Sequence, residues 1–215
     1  MFMSRVRIFA ALIAAASAAP AAAQETPPSN PPEETADGEQ TKIDAAVAFA
    51  EAMTADATAA LTDEAVAPGD RLENFRAVLA DGMALDVIGK FMIGETRKIM
   101  NDTQLSRYDT IFPEYITRLY AEQFEEIVGR PLEVLEAKAV GARDVIVRTR
   151  FARKEGAPIM VDWRVRELRS GERKAIDIIV SGVSIMLVKR EEFSSFVAAN
   201  GVDALLDRLE QEAAI

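Results

Sequence analysis

The spacing of hydrophobic positions changes near the middle of the chain. In the first half they recur at three and four residues, the period of one helix face. A helix is predicted over residues 42–61, with Thr41 as its cap and Ile43, Val47, Ala50, Met53 and Ala57 turned inward. Pro68 and Gly69 predict a turn, and Leu72, Phe75, Val78 and Leu79 a short helix over 70–80. Residues 82–94 are apolar around most of the circumference, relieved only by Asp86, Gly89 and Lys90. Such a segment is either a central core helix or one with a side facing a second apolar surface. Residues 101–128 carry the longest stripe, from Leu105 and Tyr108 through Phe112, Tyr115, Ile116 and Tyr120 to Phe124 and Ile127. Thr103 is its expected cap, and Pro113 predicts a kink or a break.

From Gly129 the period becomes two. Leu132, Val134, Glu136 and Lys138 are expected on one face of a first strand, with Leu135, Ala137 and Ala139 on the other. Val145, Val147, Thr149 and Phe151 then oppose Ile146, Arg148 and Arg150. Ile159, Val161, Trp163 and Val165 oppose Met160, Asp162, Arg164 and Arg166, and Ile176, Ile178 and Val180 oppose Asp177, Ile179 and Ser181. Turn residues between the runs make this an antiparallel meander with one apolar and one charged face. Arg/Asp and Arg/Glu pairs across strands account for the charged face without a ligand. Helical spacing returns at Arg190 with Phe193, Phe196 and Val197. Asn200 and Gly201 stop that helix, and Val202, Leu205, Leu206 and Leu209 mark another. Helices followed by one sheet and closed by helices define an α+β domain.

Composition narrows the chemistry. The 215 residues contain neither cysteine nor histidine. Disulfides, thiolate nucleophiles, His/Cys zinc sites and the commonest general base are therefore excluded. No phosphate loop, dinucleotide fingerprint or calcium loop is present. Ser184 lies outside a G-x-S-x-G elbow and is expected to cap or bond backbone. Asp162 and Asp177, on neighbouring predicted strands, are expected to be ion-paired rather than catalytic. The chain is expected to be no enzyme and to use no cofactor or metal. A net charge of −10 argues against nucleic acid as a partner.

The N-terminus reads as an export signal over residues 1–23. Arg5 and Arg7 precede an apolar run at 8–19, and Ala21, Ala22 and Ala23 suit cleavage. Its removal takes two arginines and no acid, moving the net charge from −10 to −12. Residues 24–40, rich in proline and acid, are expected to form a disordered leader. A single domain is expected over 41–211, exported to the periplasm and monomeric.

Three segments of the C-terminal region resemble a family signature in order and spacing. They are Asp177 with Gly182-Val183-Ser184, Arg190-Glu191-Glu192-Phe193, and Gly201-Val202-Asp203-Ala204-Leu205. Together they are similar to the MlaC, or toluene-tolerance, family of periplasmic phospholipid-binding proteins. Asp86 and Gly94 match a further family spacing. This chain then has Glu95-Thr96-Arg97-Lys98 where many members have aromatics. The resemblance, covering roughly residues 80–211, implies a curved sheet under helices, similar to the nuclear-transport-factor-2-like cone. It implies acyl chains held inside the domain, and transient contact with an outer-membrane lipoprotein–porin complex and an inner-membrane ABC transporter complex. The alternative is a periplasmic module for another hydrophobic small molecule. Under either reading Val87, Phe91, Phe112, Tyr115, Ile116, Val147, Val161, Trp163 and Ile178 are expected to wall the cavity.

Overall fold

The computed structural model describes residues 36–124, 129–153 and 155–214, all within one compact unit, Glu34–Ile215. The export signal, the leader up to residue 35, Ile127 and the side chain of Phe124 lie outside the described residues. Four helices come first: α1 (Ala36–Thr62), α2 (Pro68–Gly82), α3 (Leu85–Ile93) and α4 (Asp102–Phe124), with a short 3-10 helix, Gly94–Ile99, before α4. Strands β1 (Leu132–Val140), β2 (Asp144–Phe151), β3 (Ile159–Glu167), β4 (Arg173–Val180) and β5 (Val183–Ser184) follow, then α5 (Ile185–Asn200) and α6 (Val202–Ala214). The strands lie in sequence order in one antiparallel sheet, as an α+β meander requires. No described helix is long and apolar enough to cross a membrane.

Several local expectations are corrected. Helix α1 starts at Ala36, so residues 36–40 of the expected leader are helical and Thr41 is not a cap. Its hydroxyl bonds back to the Asp37 carbonyl at 2.8 Å inside the helix. Small residues Ala46, Ala50 and Ala57 let α1 pack closely on β1 and β2, leaving Ile43 and Val47 half-buried. Pro68 opens α2 rather than making a turn, since a first-turn N–H has no partner to lose. Asn101, not Thr103, caps α4. Its side chain accepts from Gln104 N at 2.9 Å while Gln104 Oε1 accepts from Asn101 N at 3.1 Å, a reciprocal box. Helix α4 continues through Pro113, and the Thr117 hydroxyl bonds the Pro113 carbonyl.

Bulges shift the strand phases. The β1–β2 register slips between Val134 and Glu136, so Ala137 and Ala139 join Leu132 and Val134 on the inner face. On β4 the slip around Ile176 brings Ala175 and Ile178 to the same side. Helix α5 begins at Ile185, five residues before the change of period at Arg190. Ser184 caps it, accepting from Leu187 N at 3.0 Å and donating to Asp177 Oδ2 at 2.6 Å. Gly201, at φ 87°, ends α5 with its N–H on the Val197 carbonyl at 2.8 Å.

Candidate interior binding site

The interior lies between the helices and the inner face of the sheet. Val147, Trp163 and Ile178 stand side by side on β2, β3 and β4, one cross-strand row. Val161 lies two residues from Trp163 on the same face. Trp163 Nε1 donates to Thr149 Oγ1 at 3.2 Å, and that hydroxyl donates to the Val161 carbonyl at 2.7 Å. The sheet wall is therefore apolar, with its two polar atoms satisfied. Among the described residues, close backbone approaches to the sheet come mainly from α1, α2, α3 and α5. Helix α4 packs on α2, α3 and α6, and its Phe112, Ile116 and Tyr120 side chains belong to the same buried cluster as the sheet wall.

Seven of the nine expected wall residues are 3% exposed or less: Phe112, Tyr115, Ile116, Val147, Val161, Trp163 and Ile178. All seven belong to one core, so the fold brings them together as closely packed side chains. Val87 and Phe91 are half-buried. The Phe91 ring carries the Arg190 guanidinium 4.6 Å from its centroid, which ties α3 to α5. Phe112 packs on Tyr108 and Tyr115 with ring centroids at 5.2 and 6.4 Å. Tyr115 meets Phe193 of α5 at 5.8 Å. Ile88, Met92, Tyr120 and Phe193, which are not among the expected wall residues, share the same core. Tyr120 was legible as the i+4 neighbour of Ile116.

Burial pushes the Tyr115 and Tyr120 hydroxyls above the usual phenol range. The Lys189 ammonium opposes the rise at Tyr115 without a hydrogen bond of standard geometry; the Asp177 carboxylate adds to it at Tyr120. Neither phenol hydrogen has an acceptor among the described residues; Lys189, beside Tyr115, is a donor.

The opposite sheet face is charged and internally paired. Arg148 reaches Asp162 at 3.2 Å and Glu136 at 3.5 Å, and Arg150 reaches Glu133 at 2.8 Å. Arg164 and Arg166 both hold Asp144 at 2.6 Å. Asp162 stands opposite Ile179, and Asp177 opposite Arg164, so the two acids do not form a catalytic pair. Asp177 is buried at the start of α5, where it also accepts from Met186 N at 3.3 Å. Burial raises its pKa, and the Ser184 and backbone hydrogen bonds only partly oppose that. Among the described residues no three acids gather as a metal site requires.

Surface grooves lie elsewhere. One of about 620 Å³ runs between α1 and the chain entering β1, and one of about 390 Å³ between α1 and α2. None of the nine wall residues lines them.

These features define a class: an α+β domain whose antiparallel meander carries an apolar face under helices and an ion-paired face toward water. The MlaC protein family matches residues 50–211, and the chain belongs to that family. The intermembrane phospholipid transport system binding protein MlaC of Haemophilus influenzae is 24% identical over 132 residues. That match spans 60% of this chain and 62% of the relative's length. A phospholipid-binding protein from Ralstonia solanacearum, solved in complex with a phospholipid, has a similar fold at a TM-score of 0.65. It is 19% identical, and the superposition covers 78% of this chain and 96% of that one.

Proposed function

We propose that the chain is a periplasmic phospholipid carrier that holds acyl chains between α4 and the inner sheet face. The observation that carries this reading is the Val147–Trp163–Ile178 row, which shares one buried apolar cluster with Phe112, Ile116 and Tyr120 of α4, in a chain of the MlaC family. The names of the Haemophilus relative and the Ralstonia neighbour support phospholipid as the ligand. Carriage between an outer-membrane lipoprotein–porin complex and an inner-membrane ABC transporter complex follows from the family resemblance. The Arg5/Arg7 signal supports export.

The energetics suit a reversible carrier. Two chains of about 16 carbons gain roughly 25 kcal/mol on leaving water, at about 0.8 kcal/mol per methylene. Their donor is a bilayer, already apolar, so the net transfer free energy is near zero. Seven of the nine wall residues are buried in one core, so on loading the helices part from the sheet. Acyl chains then replace the side-chain contacts that are lost. Helices α4, α5 and α6 are joined by Arg107 to Asp207 at 2.7 Å and to Glu210 at 2.6 Å, and by Arg208 to Glu192. They move as one layer on loading. The phosphate stays at the mouth in water, because burying it needs several charged donors and the sheet arginines are committed to acids on the other face.

The test is mass spectrometry of lipid extracted from the full chain purified from cells. About one phospholipid per protein, with several head groups, is expected. Lipid-free protein, or a bound apolar molecule that is not a phospholipid, would overturn the reading.

A further inference from the structure

Buried hydroxyls without partners are rare, because each loses its bonds to water and gains nothing in return. Here two tyrosines on one helix keep a phenol hydrogen without an acceptor, and the third tyrosine is the control. Tyr108 is equally buried but donates to the Gly89 carbonyl at 2.9 Å. Tyr120 and Tyr115, at 0% and 3% exposure, have no acceptor for the phenol hydrogen among the described residues; Lys189, beside Tyr115, is itself a donor. At 3.6 residues per turn the two stand on either side of the Phe112–Ile116 stripe. They are also close enough that the Tyr115 phenol helps raise the pKa of Tyr120. Two donors therefore flank a stretch of α4 that shares one buried cluster with the sheet wall. A diacyl lipid brings two ester carbonyls, strong acceptors that sit where its acyl chains begin.

We propose that the Tyr115 and Tyr120 hydroxyls anchor the lipid by donating hydrogen bonds to its ester carbonyl oxygens, which sets the depth at which the chains sit. This rests on the carrier reading above. The anchor recognises the glycerol ester and ignores the head group, so it grips diacyl lipids of any class. It also accounts for donors left idle in the closed protein: they find acceptors only when lipid enters. Phenylalanine fills the same space without the oxygen, so Tyr→Phe variants separate the anchor from packing.

The test offers delipidated full chain vesicles of dihexadecanoyl phosphatidylcholine or of dihexadecyl phosphatidylcholine, which has ether links and no carbonyl. Bound lipid is counted by native mass spectrometry. Wild type is expected to favour the diester about tenfold, from two modest hydrogen bonds. The Tyr115→Phe/Tyr120→Phe double variant is expected to take both lipids equally. Its lipid-free melting temperature is expected to equal or exceed that of wild type, because a buried oxygen without a partner has been removed. Equal uptake of diester and diether by wild type would overturn the anchor and leave the carrier reading standing. So would a preference that survives in the double variant. If wild type took up neither lipid, the carrier reading would fall and the anchor with it.

Discussion

The Tyr108 hydroxyl donates a 2.9 Å hydrogen bond to the Gly89 carbonyl, joining α4 to α3 inside the core. The same glycine lies so close to α4 that an added Cβ would sit 2.9 Å from the Phe112 ring. Tyr108→Phe is expected to cost about 1 kcal/mol, one buried hydrogen bond. Gly89→Ala gains about 1 kcal/mol of helix propensity but forces a buried ring to move, at about 1–3 kcal/mol. Net destabilisation is expected in urea unfolding. A stabilised Gly89→Ala protein would show that α3 and α4 are not held this tightly.

Two buried acids are expected to respond to pH with opposite signs. Burial draws the Asp144 pKa upward, but hydrogen bonds from Arg166 and Arg164 outweigh it and hold the group below its ordinary value. Such a group stabilises the fold above the unfolded pKa, near 3.9, and that contribution is lost as pH falls through the folded value. Asp144→Asn should therefore lose about 2 kcal/mol at pH 7, with the deficit shrinking toward pH 3. Asp177 is raised by burial, so its contribution is present at acid pH and lost as pH rises through the folded value. Relative to wild type, Asp177→Asn should gain stability as pH rises above about 4, the unfolded value. Thermal melts of both variants across that range are the check, and parallel pH profiles would contradict the assignment.

Much of this architecture was legible in the chain. The stripe of α4 as far as Tyr120 and the strict alternation of β2 and β3 survive because each keeps one face buried. Gly201 was legible as a stop because its backbone, at φ 87°, favours a residue without Cβ. The bulges at Leu135 and Ile176 were not legible, since one extra residue changes the phase while every neighbour keeps its strand character. The start of α5 was hidden for a related reason: 185–188 is a continuous apolar run that reads as strand or helix. The Ser184–Asp177 contact that marks the boundary joins residues seven apart across a turn. The burial of seven of the nine expected wall residues was legible, but the idle phenol hydrogens of Tyr115 and Tyr120 were not. A stripe shows which side a tyrosine faces and not whether its oxygen finds a partner.

The two sheet faces should separate cleanly in lipid loading. Val147 is fully buried in the row with Trp163, whereas Arg148 points outward to Asp162. Val147→Asp or Ile178→Lys should abolish lipid loading and destabilise the fold by about 4 kcal/mol or more, as an unpaired buried charge does. Val147→Thr, close in volume, should stay folded and load less. Arg148→Ala breaks a surface pair worth about 1 kcal/mol or less and should load normally. Co-purified phospholipid is counted for each variant, with circular dichroism to confirm folding. An empty but folded Arg148→Ala protein beside a loaded Val147→Asp protein would reverse the assignment of the faces.

Trp163, the one tryptophan of the chain, stands at the centre of the sheet wall. It therefore reports directly on whether acyl chains enter there. Delipidated protein is loaded with phosphatidylcholine brominated along its acyl chains, and Trp163 fluorescence is compared with that of protein carrying the unbrominated lipid at equal occupancy. Strong quenching by the brominated chains is expected, because bromine quenches only at near contact. Unchanged fluorescence with brominated lipid demonstrably bound would place the chains elsewhere and contradict the account.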